Sequence, residues 1–200
     1  MTITSEQVKL LRERTGAGMM DCKKALEESG GSMEKAVEYL RKKGAATAEK
    51  RADRATNQGV VDAYIHAGGR IGAMVELNCE TDFVAKTDDF KSLAKDLAMQ
   101  IAAMSPRFIG KEEVPKEIVD REMDIYRTQA RNEKKPEPVV ERIAEGKLEK
   151  FFQEVCLIEQ TYIKDSGKTI KDLIHEMTAK TGEKITVRRY DRFHLGEHSQ

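Results

Sequence analysis

Asn78-Cys79-Glu80-Thr81-Asp82-Phe83-Val84-Ala85-Lys86 is the stretch that organises this 200-residue chain. Just before it, Ile71 to Leu77 is mostly apolar and predicts a buried strand. From Asp88 onward, Phe90, Leu93, Ala94, Leu97, Met99 and Ile101 recur at helical spacing. The stretch is therefore a strand-to-helix junction. Thr81 and Asp82 are both capping residue types for an open helix start. Phe83 is the odd residue, because short junctions ordinarily use Gly or polar side chains. Two readings stand. Phe83 folds back as a local staple on the core, or it stands exposed beside a carboxylate, a make-up suited to a protein-binding hot spot.

Upstream, Val60 to His66 is β-prone and Gly68-Gly69 signals a turn, so residues 59–79 predict a hairpin. Ile185 to Phe193 predicts a final strand that pairs with it, because an isolated hairpin is marginal. Between them the periodicity predicts a helix to Met104 stopped by Pro106, and an amphipathic helix from Glu117 to Asn132. Two more are predicted, from Val139 to Gln153 with an interruption near Gly146, and from Thr169 to Lys180.

The first 45 or so residues predict three short helices. Thr4 and Gln7 have capping-box spacing, Gly16-Ala17-Gly18 and Gly30-Gly31 are breaks, and Ser32 can cap the third helix. Val8, Leu11, Cys22, Ala25, Leu26, Ala36, Val37 and Leu40 would form a very small core. Residues 46–58 read as a helical linker, 59–196 as an α+β core and dimerisation domain, and 197–200 as a tail. The fold class is α+β: helices first, then a small antiparallel sheet of about three strands packed with helices.

Lys+Arg and Asp+Glu both number 35, so the net charge is zero, which argues against a general nucleic-acid binder. Residues 1–58 hold 12 basic and 9 acidic groups, whereas residues 59–105 hold 4 and 7. The segment carrying Asp82 is thus a poor phosphate binder and a plausible protein-facing surface. Cys22, Cys79 and Cys156 have no paired spacing and read as reduced thiols of a cytoplasmic protein. No apolar run reaches transmembrane length, and the first residues carry no secretory pattern.

Chemistry finds little support. Asp165-Ser166-Gly167-Lys168-Thr169 has Tyr162 where a phosphate loop needs its first Gly, and reads as a turn plus helix cap. His66, His175, His194 and His198 form no metal set, and His175 reads as solvent-facing. No nucleophile–base arrangement can be argued, so no catalytic residue, metal or cofactor is expected.

The junction resembles the motif of the elongation factor Ts family. Val8-Lys9-x-Leu11-Arg12-x-Arg14-Thr15-Gly16-Ala17-Gly18-Met19-Met20-Asp21-Cys22-Lys23-Lys24-Ala25-Leu26 resembles that family's ubiquitin-associated-like N-terminal domain. The resemblance covers residues 1–105 well and 139–196 more loosely. It implies a guanine-nucleotide exchange factor that binds elongation factor Tu in its GDP-bound and nucleotide-free states, and not an enzyme. Thr81, Asp82, Phe83 and Val84 would meet the GTPase, with Phe83 wedging between its helices and Asp82 assisting. The movement would disturb the Mg²⁺ site and loosen the phosphates. Release ~10⁴-fold faster would need about 5.5 kcal/mol off the barrier. Arg12, Met19 and Met20 would dock the N-terminal domain, although Met19 and Met20 could equally fill the mini-core. A rival reading is a peptide-binding adaptor without exchange activity.

Longer members of the family have a core of two similar halves. Here His66-Ala67-Gly68-Gly69-Arg70-Ile71-Gly72, which resembles the hairpin of one half, runs straight into the Thr-Asp-Phe stretch of the other. The second half and a long coiled-coil insertion are expected to be missing. A three-stranded sheet with Val60, Ile65, Ile71, Met74 and Val75 to bury needs a cover on its second face. A second copy of the chain would supply it by two-fold symmetry, so that His66 of the opposite subunit joins Phe83 at each GTPase.

Overall fold

The computed structural model describes residues 3–197. It opens with α1 (Ser5–Thr15), α2 (Met19–Glu28) and α3 (Met33–Lys50). The Thr4 hydroxyl accepts from the Gln7 amide at 3.2 Å, and the Gln7 side chain accepts from the Thr4 amide at 3.0 Å. That is the expected capping box. Gly16 ends α1 at φ 68°, a conformation that favours glycine. Val8, Leu11, Cys22, Ala25, Leu26, Ala36 and Leu40 form the mini-core, with Val37 at its edge. Met19 and Met20 lie outside it, 44% and 74% exposed.

The start of the 46–58 segment continues α3 as far as Lys50. Its last turns lie against a later helix, α8 (Ile170–Thr181). Gly44 permits that approach, since a Cβ there would stand 3.2 Å from the His175 carbonyl oxygen. His175 is consequently half-buried between the helices, not solvent-facing as its charged surroundings suggested.

The sheet holds β1 (Gln58–Ile65), β2 (Ile71–Cys79) and β5 (Thr186–His194), antiparallel in the order β1-β2-β5. The final strand thus pairs with the hairpin. Alternation sends Val75, Leu77 and Cys79 inward onto α5 (Asp88–Met104), where Phe90, Leu97 and Ile101 are fully buried. Val60, Tyr64 and Ile71 lean on the same core. Val61, Ile65, Met74 and Phe193 are exposed, and the strand alternation puts them on the opposite face.

Between α5 and the last strand, α6 (Lys116–Asn132) and α7 (Glu137–Val155) pack together as a helical arm. Arg127 pairs with Glu141 and Arg131 with Glu137 across it. The arm is 17 and 19 residues long, a short helical pair where no long coiled coil was expected. The predicted interruption at Gly146 does not occur. Packing along α6 outweighs the ~1 kcal/mol a mid-helix glycine costs. Asp165–Thr169 also departs from expectation. It is β4, paired with β3 (Thr161–Tyr162) in a small hairpin, and only Thr169 acts as the cap of α8. His198 and the tail beyond Glu197 lie outside the described residues.

Candidate functional site

The corner after β2 carries a single helical turn, α4 (Asp82–Ala85). A helix this short has no stability of its own, so its placement depends on neighbouring contacts. Ala85 is buried and Val84 partly buried against the main core. Thr81 precedes α4 in extended geometry, yet its hydroxyl does not cap the turn. Instead it donates to Glu183 Oε1 at 2.6 Å. The amides of Glu80 and Thr81 donate to the other oxygen of Glu183 at 3.1 and 3.0 Å. The Cys79 thiol donates to the Thr81 carbonyl at 3.1 Å.

Glu80 returns the arrangement from the other side. Its carboxylate accepts from the Lys184 amide at 2.6 Å, from Arg51 at 3.2 Å and from Arg54 at 2.9 Å. Burial pushes this carboxyl up, but the Lys184 amide and the two guanidinium groups outweigh it and hold the pKa below the ordinary value. Three segments distant in sequence therefore converge on the corner: the end of α3, the end of β2 and the α8–β5 connection.

On this fixed corner Phe83 is 79% exposed. It does not fold back as a staple. Asp82 beside it pairs with Lys86 at 2.6 Å, and that hydrogen bond holds the Asp82 carboxyl below its usual range. The corner thus offers a large apolar ring next to a carboxylate that is ionised at neutral pH.

The other expected contact residues lie elsewhere. Arg12 is exposed on α1, and Met19 and Met20 begin α2, joined by the Gly16–Gly18 turn. His66 is exposed on the β1–β2 turn, with its Nδ1 3.0 Å from the Tyr64 hydroxyl. The turn and the Phe83 corner lie at opposite ends of β2, a strand of about 26 Å at the ordinary rise per residue. The fold therefore unites Thr81, Asp82, Phe83 and Val84, but not these four with His66.

Among the described residues no group of His, Cys, Asp and Glu is placed to hold a metal ion. Burial pushes the Cys79 and Cys156 thiols up to about 11, so neither is a thiolate at neutral pH. No described helix is long and apolar enough to cross a membrane. What the corner presents is an exposed aromatic ring beside the Asp82 carboxylate.

The family model described as elongation factor TS matches residues 8–197. The chain belongs to the elongation factor Ts family. It is 63% identical to elongation factor Ts of Carboxydothermus hydrogenoformans over 195 residues, which covers 98% of this chain and 90% of that protein. It is 60% identical to that of Thermotoga neapolitana over 197 residues, 98% and 99% of the two chains. It is 61% identical to that of Moorella thermoacetica over 195 residues, 98% and 96%. The Thr-Asp-Phe corner and the Met19-Met20 turn both fall inside the matched region. Glu183, Arg51 and Arg54 were not singled out in the sequence. Glu183 meets Thr81 across 102 residues, so no local spacing marks it.

Proposed function

We propose that this chain is a guanine-nucleotide exchange factor for elongation factor Tu, acting in the cytoplasm during translation elongation. Membership of the family supports the exchange activity and the partner. The observation that carries the mechanism is Phe83, 79% exposed on a one-turn helix that other segments pin in place. A rigid exposed aromatic loses little conformational entropy on insertion, which suits it to wedging between helices of a GTPase. Asp82 would add charge beside the wedge. Displacing those helices would disturb the Mg²⁺ that neutralises the diphosphate, and GDP would leave. No covalent step is involved. Nucleotide and factor would weaken each other reciprocally, because each binds best in the absence of the other.

Arg12, Met19 and Met20 would dock the N-terminal bundle, which we read as ubiquitin-associated-like, on the same GTPase. Two exposed methionines beside a glycine turn suit an adaptable contact. The open sheet face with Val61, Ile65, Met74 and Phe193 supports a symmetric homodimer, two chains serving two GTPases. The separation of His66 from Phe83 along β2 fits a site completed by His66 of the opposite subunit.

The test is release of fluorescent GDP from elongation factor Tu, followed with and without the chain. Acceleration by orders of magnitude is expected. An unaltered trace, with binding intact, would leave an adaptor as the better reading.

A further inference from the structure

Phe83 sits on four helical residues, yet a wedge must hold its shape while it displaces another protein's helices. Most of what sets the direction of this turn comes from outside it. Glu183 supplies three acceptor contacts: the Glu80 amide at 3.1 Å, the Thr81 amide at 3.0 Å and the Thr81 hydroxyl at 2.6 Å. Glu183 itself is held by its place in the chain. It follows Gly182, the left-handed cap of α8, and its own amide donates to the Thr181 hydroxyl at 3.2 Å. Lys184, the next residue, donates its amide to Glu80 at 2.6 Å. The two chain reversals thus exchange carboxylate-to-amide hydrogen bonds in both directions. Hydrogen bonds with a charged acceptor are the stronger kind, and three on one carboxylate fix a peptide plane as well as a distance.

We propose that Glu183 is a positioning residue for nucleotide exchange, one that holds the Thr81–Phe83 corner rigid so that Phe83 enters the GTPase already oriented. This rests on the exchange reading above. The hydrogen bonds of Glu183 go to the amides of Glu80 and Thr81 and to the Thr81 hydroxyl, so it acts on Phe83 through the chain. Without it, α4 keeps the packing of Val84 and Ala85 but loses the bonds that orient its first turn. The loosened wedge would then have to be ordered during the exchange step itself. The cost should fall on the release rate within the complex, while docking through Arg12, Met19 and Met20 is untouched.

The test measures GDP release from elongation factor Tu against factor concentration for the wild-type chain, Glu183→Ala and Glu183→Gln, with circular dichroism as the check on folding. Glu183→Ala is expected to lower the saturated release rate roughly tenfold, with the half-saturating concentration within about twofold of wild type. Glu183→Gln keeps an acceptor for the two amides and is expected to recover most of the rate. A wild-type saturated rate for Glu183→Ala overturns the proposal. So does a loss confined to half-saturation, or a Gln variant as slow as Ala. If Glu183→Ala does not fold, Glu183→Asp takes its place, since it keeps the charge but draws the carboxylate back by one methylene from the Glu80 and Thr81 donors. Roughly threefold slower saturated release is then expected, and wild-type release overturns the proposal. A wild-type chain that fails to accelerate release would instead refute the exchange reading itself.

Discussion

Arg41 and Asp172 form a two-pronged ion pair, with Arg41 Nε donating to Asp172 Oδ1 at 2.7 Å and Nη2 to Oδ2. They are 131 residues apart in sequence and join α3 to α8. Asp172 also closes the capping box of α8, accepting from the Thr169 amide at 2.8 Å and hydroxyl at 2.7 Å. One carboxylate thus both starts α8 and ties the N-terminal helices to it. Arg41→Ala should release the first role from the second. We expect a loss of about 1–2 kcal/mol with α8 intact, read from urea unfolding. Asp172→Ala should cost about 2–4 kcal/mol, because the cap is lost as well and Arg41 is left unpaired. Equal losses for the two would mean that the cap contributes nothing.

The same interface predicts a pH dependence. Burial holds the His175 pKa below its ordinary value, with Lys171 and Arg41 pushing the same way and Asp172 opposing them. A lowered folded pKa means that the fold favours neutral His175. Its contribution is then fully present above the unfolded value of about 6.5, and is lost as pH falls through that value toward the folded one. Unfolding midpoints in urea should therefore drop between about pH 7.5 and pH 5.5, and His175→Gln should flatten that slope. A slope identical in the variant would assign the effect elsewhere. Asp172 acts in a lower window. Burial raises its pKa, but Arg41 and the Thr169 bonds outweigh that and leave it depressed. Its stabilisation is lost only below about pH 4.

Phe83→Ala should lower saturated GDP release at least about tenfold and leave the unfolding free energy within ~0.5 kcal/mol of wild type, because the ring is 79% exposed. A stability loss of several kcal/mol, as for a buried Phe→Ala change, would contradict the wedge.

Met19→Ala combined with Met20→Ala should act differently. Both side chains are exposed and outside the mini-core, so the bundle should stay folded. Half-saturation should shift upward by roughly tenfold, while release at saturating factor recovers. Release that stays slow at saturation would put these methionines in the exchange step.

How far the sequence carried this reading depended on the range of each contact. The strand Ile71–Cys79, the helix from Asp88 and the capping box at Thr4 are written in neighbouring residues, and they were legible. The Thr81–Val84 corner was legible as a junction, but the exposure of Phe83 was not, since a staple and a wedge use the same residue. The Glu183 contacts, the docking of Gly44 on α8 and the half-burial of His175 depend on chain segments more than 100 residues apart. No period or cap announces them. The continuity of α7 through Gly146 has a different cause: the glycine is a local break signal, whereas the packing on neighbouring α6 that overrides it is a tertiary contact.

The open sheet face makes the last prediction. In the β1-β2-β5 order, Gly72 lies opposite both Ile65 and Phe193, and Met74 lies opposite Ala63. A Cβ at Gly72 would stand 2.6 Å from Ile65 Cδ1, so the Ile65 side chain lies across Gly72, with Phe193 paired on the other side and Met74 and Val61 exposed on the same face. At one end the Glu76–Arg189 pair, 2.7 Å apart, gives it a polar border. The exposed apolar side chains share this face with Asp191, which pairs opposite Met74, and such a mixed patch is costly to leave in water and suits a self-complementary interface. Sedimentation of the wild-type chain at micromolar concentration should therefore report the mass of two chains. Phe193→Glu combined with Ile65→Glu would set like charges against each other across the two-fold axis. That variant should sediment as one chain, and its inward core should be unaffected because both residues face away from α5. If His66 of the opposite subunit completes each site, the monomeric variant should also exchange more slowly at saturation, and His66→Ala in the dimer should show part of the same loss. A wild-type chain that sediments as a monomer and still exchanges nucleotide would rule out the dimer, and with it the shared site.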